Sequence, residues 1–212
     1  MKTSTMQILE QLVERYPVLE GEKDAVLRAF RTLQTTYERG GKVMTCGNGG
    51  SAADAEHIVG ELMKKFKKNR PIDGGTYEKL AKYGTEGEKL RATLEGSLRA
   101  VSLTSHISLS TAFANDREPS VAFAQQLYGL ADEGDTLIAI STSGNSENCV
   151  LAAIAAKAIG VFVVALTGET KSRLSEIADV TIRVPETETD KVQELHLPVY
   201  HCLCAMLEEE NF

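Results

Sequence analysis

The chain has 212 residues, 42% of them hydrophobic and 25% charged, with 30 acidic against 23 basic side chains and a net charge of −7. That length is enough for one domain with a buried core that needs no disulfide or structural metal. No apolar run approaches the roughly 18–20 residues of a membrane span, and the acidic balance argues against a broad nucleic-acid surface, so neither partner is expected. Met1 to Thr5 lack the apolar segment of a signal peptide, which makes the cytoplasm the expected location. Cys46, Cys149, Cys202 and Cys204 have neither zinc-ribbon nor Cys-x-x-Cys spacing and read as small buried side chains.

Met6, Ile8, Leu9, Leu12 and Val13 recur at helical spacing, and a second helical pattern runs from about Lys23 to Tyr37 until Gly40-Gly41 stops it. Residues 1–41 are therefore predicted as a helical hairpin. From Lys42 to the end the pattern changes to short apolar strands separated by helices: Val43 to Cys46, Ala100 to Leu103, Leu137 to Ile140, Val161 to Leu166 and Val180 to Val184. Continuous apolar strands alternating with helices predict a parallel sheet covered on both faces, with the strand ends and their loops on one edge, where ligands bind.

Two loops on that edge have the chemistry of an anion site. Gly47-Asn48-Gly49-Gly50-Ser51 follows the first strand and opens a helix, and Ser141-Thr142-Ser143-Gly144-Asn145-Ser146 stands between the third strand and the helix-like Glu147 to Ile159. Glycine lets the backbone approach closely, hydroxyls donate, and the free N–H groups of a helix start favour phosphate. Two such turns in one domain predict a phosphorylated small molecule as ligand.

On the helix after the first turn, His57 and Glu61 are four residues apart and project from one face. The Lys64-Lys65 and Lys67-Lys68 pairs beyond them read as a solvated helix end. Between Pro71 and Leu98 a charged segment with Gly74-Gly75, Gly84 and Gly87 looks like an insertion, either a surface excursion or a lid. Asn115-Asp116 is predicted in a loop, serving as a turn or cap, or as donor and acceptor for a polyol. The last helix, about Asp190 to Glu209, is apolar over most of its circumference, which suggests burial against another helix layer or another chain, with oligomerisation favoured. It carries Gln193 and His201, eight positions apart and about 80° around the axis, able to flank one site. Spacing alone makes these a weak metal signal, since glutamine is a poor zinc ligand. His196 and His106 read as packed or interface histidines.

Together these residues resemble the SIS (sugar isomerase) domain family and, within it, the phosphoheptose isomerases, from Cys46 nearly to the C-terminus. The likeness is carried by Cys46 to Ser51 with Asp54, His57 and Glu61, then Asn115-Asp116, Ser141 to Ser146, Leu166-Thr167-Gly168, and Val192-Gln193-Glu194 with His196 and His201. The resemblance implies a three-layer α/β/α sandwich with a five-stranded parallel sheet over 42–212, a hairpin used in oligomerisation, and a homotetramer whose sites are completed by more than one subunit. It implies phosphate or hydroxyl contacts from Ser51, Ser141, Thr142, Ser143 and Ser146, and a sugar site lined by Asn48, Gly49, Gly50, Asn115 and Asp116. It further implies one zinc ion held by His57, Glu61, Gln193 and His201, with Asp190 assisting in orientation. The implied reaction converts sedoheptulose 7-phosphate to D-glycero-D-manno-heptose 7-phosphate through an enediol, with Glu61 as base, His201 as partner acid or base, and Glu61 and Gln193 also touching substrate. Two readings compete. One is a non-catalytic SIS protein that binds a replication initiator or senses a sugar phosphate; such relatives lack counterparts of Glu61 and His201. The other is an isomerase for a different ketose or amino-sugar phosphate, which the 71–98 insertion permits.

Overall fold

Strands β1 (Val43–Cys46), β2 (Ala100–Ser102), β3 (Thr136–Ile140), β4 (Phe162–Thr167) and β5 (Val180–Arg183) form one parallel sheet in the computed structural model, which describes residues 1–212. Their order is β2-β1-β3-β4-β5, with Val43 opposite both Ala100 and Thr136. The chain runs outward from β1 to β2, then returns to place β3 on the other side of β1. The crevice above β1 and β3 is therefore the topological switch point, where ligands bind in open α/β sheets. Each strand lies within a residue or two of its predicted position.

The helices are α1 (Thr3–Arg15), α2 (Lys23–Glu38), α3 (Gly50–Met63), α4 (Gly74–Leu80), α5 (Gly84–Thr93), α6 (Ile107–Asp116), α7 (Ala122–Leu130), α8 (Glu147–Ala158), α9 (Arg173–Ile177) and α10 (Thr189–Asn211). Side chains alternate across the pleat and sort into two cores. Ile138, Ile140, Val164 and Leu166 join Leu9, Phe30, Ile58 and Leu203 beneath α1, α2, α3 and α10. Leu137, Ala139, Val163 and Ala165 face the opposite way, onto Leu127, Cys149, Ala152, Ala153 and Ala156 of α7 and α8. The result is the expected α/β/α sandwich. All four cysteines are buried and free, and no helix is long and apolar enough to cross a membrane.

The 71–98 segment carries two helices, α4 and α5. Asp73 caps α4 by accepting from the Thr76 amide at 2.9 Å, and a 3-10 turn at Ala81–Tyr83 leads into α5. Only Gly87 and Leu98 within it are buried in the single chain. Its ends are tied down: Gly96 N donates to Arg70 O at 2.7 Å, Leu98 N to Leu62 O at 3.0 Å, and Glu95 accepts from the Lys65 amide at 2.9 Å.

One loop prediction fails. Asn115 and Asp116 are the last two residues of α6, because the apolar run Ile107 to Phe113 continues its helix until Arg117 leaves helical geometry. Both are exposed, and Asn115 Nδ2 donates to Asp116 Oδ1 at 2.9 Å. Neither hydrogen-bonds to the two glycine-bearing turns.

Candidate active site

The turn after β1 is shaped by glycine. A Cβ on Gly47 would lie 2.5 Å from Ser51 O, Gly49 has φ +54°, and a Cβ on Gly50 would meet Gln193 Nε2 at 2.6 Å. Only a chain without side chains at these points can fold back into the start of α3. Gly49, the residue before the helix, offers no side-chain cap. Ala52 N and Ala53 N donate to Gly49 O at 3.1 and 3.3 Å, which leaves the Gly50 and Ser51 N–H groups for a ligand.

The turn after β3 is a second cradle. Ser146 precedes α8 without capping it; its hydroxyl is instead 2.9 Å from that of Ser141. Gly144 has φ +65°, and a Cβ there would collide with the Ser172 side chain. Gly168 N donates to Thr142 O at 2.9 Å and Leu174 N to Gly144 O at 3.0 Å, so the next loop holds this one in shape. The two turns are joined by reciprocal amide bonds, Asn48 Nδ2 to Asn148 Oδ1 at 2.9 Å and Asn148 Nδ2 to Asn48 Oδ1 at 2.8 Å. Asn148 escaped the sequence reading because its partner is 100 residues away. Preformed donors at two helix starts, separated by one amide pair, suit a phosphate and its adjacent hydroxyl.

A second group of side chains lies further along α3, where α10 packs on it. His57 Nε2 is 3.2 Å from Glu61 Oε1 and 3.5 Å from His201 Nε2. Lys64 Nζ is 3.3 Å from the other glutamate oxygen, and the Phe66 ring covers His201 at 5.4 Å between centroids. A cavity of about 300 Å3 opens beside His201, lined also by Arg15, Tyr16, Phe66 and Lys67. Burial, helped by neighbouring His57, holds the His201 imidazole below its ordinary pKa. It is therefore neutral near pH 7 and able to exchange a proton.

Behind His57 stand two groups that periodicity did not single out together. Tyr200 OH lies 3.1 Å from Asp54 Oδ1 and 3.0 Å from His57 Nδ1. Burial raises the Asp54 carboxyl above the usual range, against the lowering effect of the Tyr200 hydroxyl. His196 is the packed histidine expected: it is fully buried, its Nε2 is 3.3 Å from Thr167 O, and burial pushes its pKa down to about 4.

Of the four implied metal ligands, three converge and one does not. Bonds of about 2.0–2.1 Å to a tetrahedral zinc leave donors ~3.3 Å apart, and the 3.2 and 3.5 Å separations around His57 fit that edge. A carboxylate and two imidazole nitrogens facing one another also need a proton or a cation between them. The donor types and these two separations are those of zinc ligands, but they do not make a metal site by themselves. Gln193, however, packs on Gly50, two turns of α10 before His201, a rise of ~12 Å. No group of three or more His, Cys, Asp and Glu side chains is placed to hold a metal ion within the single chain. Asp190, one turn before Gln193, is exposed.

The chain's relatives bear on this geometry. A family model described as SIS domain matches residues 98–206, and a second of the same description matches 7–81. A phosphoheptose isomerase of Akkermansia muciniphila is 35% identical over 201 residues, covering 95% of this chain and 93% of that protein. The structure of a phosphoheptose isomerase from Francisella tularensis superposes with a TM-score of 0.76 at 29% identity, over 97% of this chain and 93% of the other. That of the Neisseria gonorrhoeae phosphoheptose isomerase gives 0.73 at 28% identity, over 98% and 100%. The chain belongs to the SIS domain family and, within it, to the phosphoheptose isomerases.

Proposed function

We propose that this protein is an aldose-ketose isomerase that converts sedoheptulose 7-phosphate to D-glycero-D-manno-heptose 7-phosphate. The observation that carries the reading is the meeting of Glu61, His57 and His201 on two facing helices in a chain whose relatives are phosphoheptose isomerases. Glu61 takes the proton from C1, and the electron pair moves into a C1–C2 double bond as the C2 oxygen becomes a hydroxyl. His201 is the partner acid or base. Loss of the O1 hydrogen then makes C1 the carbonyl while C2 gains a proton. The phosphate lies in the turns at Gly49 to Ser51 and Ser141 to Ser146, with Asn48, Asn115, Asp116, Asp190 and Gln193 serving the hydroxyls.

In this reading His57, Glu61 and His201 would hold zinc, which would supply Lewis-acid polarisation of the carbonyl when bound; Gln193, packed on Gly50, does not reach it within one chain. The glutamate serves two roles through separate oxygens: Oε1 faces His57 at 3.2 Å, whereas Oε2 points to Lys64 at 3.3 Å. Four buried free thiols suit a reducing cytoplasm.

Distance supports a site shared between subunits of a homotetramer. From Gly50 to Glu61 the α3 axis rises ~16 Å at 1.5 Å per residue. An extended sugar phosphate spans only ~9 Å from carbonyl carbon to phosphorus at ~1.2 Å per bond. That the axial rise exceeds this span supports a substrate bridging two chains. Exposed Ile107 (72%), Tyr128 (70%) and Leu197 (41%) give α6, α7 and α10 apolar surface for neighbouring copies. Co-refolding of Glu61→Gln with an inactive Gly144→Val variant tests this. A shared site regenerates about a quarter of wild-type activity by random reassortment; no regained activity would place each site in one chain.

A further inference from the structure

We propose that His196 is a positioning residue that holds the Ser141 to Ser146 turn in its phosphate-binding shape by fixing the peptide group between Thr167 and Gly168. The role rests on the isomerase reading above, in which that turn takes the phosphate. Thr167 ends β4, and its carbonyl has two partners, the Val184 amide at 3.0 Å and His196 Nε2 at 3.3 Å. A carbonyl only accepts, so Nε2 carries a hydrogen whatever the charge of the ring. The other end of the same peptide group, Gly168 N–H, donates to Thr142 O at 2.9 Å, within the hydroxyl-rich turn. A peptide unit is planar, with its C=O and N–H pointing opposite ways, so a bond that sets one end sets the other.

Rotation of that plane is cheapest where glycine follows, because Gly168 can adopt the φ values that the rotated form needs. Glycine is nevertheless required there. A Cβ on Gly168 would lie 2.9 Å from Thr142 O and 3.1 Å from Val192 Cγ2. His196 supplies the restraint that glycine gives up. Its second nitrogen argues against packing as its whole purpose: the side chain is fully buried, and Nδ1 has no hydrogen-bond partner in the chain. An unpaired buried polar atom destabilises a fold, and an aliphatic side chain would fill the space without one. What the imidazole adds is the N–H aimed at Thr167 O.

The test compares His196→Leu, which removes the donor, with His196→Gln, whose amide N–H can take the place of Nε2–H, in the full-length protein. Binding of inorganic phosphate is measured by calorimetry, and turnover of sedoheptulose 7-phosphate by steady-state kinetics. His196→Leu is expected to weaken phosphate binding and raise KM about 5-fold, the effect of one hydrogen bond. Its kcat is expected to stay near wild type, since Glu61 and His201 lie on α3 and further along α10. His196→Gln is expected to match wild type in both readouts. Melting of each variant reports the fold, and His196→Met, whose flexible chain adapts to the space, replaces His196→Leu if that variant does not fold. Unchanged phosphate affinity and KM in the folded donor-free variant, or an equal loss in His196→Gln, would overturn this role for His196 and leave the isomerase reading in place. A wild-type protein that neither binds phosphate nor converts sedoheptulose 7-phosphate would instead fail the isomerase reading, and the role of His196 would fall with it.

Discussion

Replacing Glu61 by Gln is expected to lower turnover by a factor of about 10²–10⁴, the range for loss of a positioned general base, with little change in substrate affinity. Glutamine has the same shape, and Glu61 is held at the α3–α10 contact by neighbours on both oxygens, His57 and Lys64. The amide can still hydrogen-bond there but cannot take a proton from carbon near neutral pH. The phosphate cradle lies about three helical turns away and is untouched. A split between a collapsed kcat and a KM within a few-fold of wild type is the expected signature. Full activity in this variant would remove Glu61 from the proton transfer.

The largest effect on stability is expected at Glu208. Its side chain is 1% exposed, as is that of Arg70 in relative terms, and Arg70 Nε donates to Glu208 Oε1 at 2.7 Å. The carboxylate also accepts from three successive amides, Phe66 at 2.8 Å, Lys67 at 2.8 Å and Lys68 at 3.1 Å. Burial alone would raise its pKa, but the Phe66 and Lys67 amides and the Arg70 guanidinium outweigh it and hold the carboxyl below its usual value. Arg70 in turn donates to Leu62 O at 2.7 Å and Glu61 O at 2.9 Å, closing the end of α3. Glu208→Ala strands a buried guanidinium and three amides and is expected to cost about 3–5 kcal/mol, a fall in Tm of roughly 10 °C for a chain of this size. The double variant Arg70→Met/Glu208→Leu is expected to cost less than either single removal, because no charge is left unpaired. Urea denaturation of Glu208→Ala, Arg70→Met and the double variant measures both results. A loss below about 1 kcal/mol for Glu208→Ala would show that the pair does not anchor the 66–68 loop.

The carboxylate's depressed pKa fixes the sign of its pH dependence. Stability from Glu208 is present above the pKa of an unfolded glutamate and is lost as pH falls through its lower folded value, so this anchor fails only in acid.

These two sites mark how far the sequence could be read. The strands, both glycine-bearing turns and the single face of His57 and Glu61 are local patterns, set by residues within a few positions of one another, and they were legible. Asn115-Asp116 was misplaced because a helix end and a polar loop have the same composition there. The partners Arg70 with Glu208, Tyr200 with Asp54 and Asn48 with Asn148 are separated by 138, 146 and 100 residues. No periodicity connects them; only the packing of α10 on α3, and of the second turn beside the first, brings them together. The separation of Gln193 from His201 was likewise hidden, since an angle around a helix says nothing about the rise along it.

The central claim is that Glu61 and His201 carry out an enediol isomerisation of a seven-carbon sugar phosphate. Its most direct test is to incubate the full-length protein with sedoheptulose 7-phosphate in D2O and follow the product by NMR. The expected product is D-glycero-D-manno-heptose 7-phosphate carrying deuterium at C2, taken up as the transferred proton exchanges with solvent. No aldose formed, with or without added zinc, would contradict it.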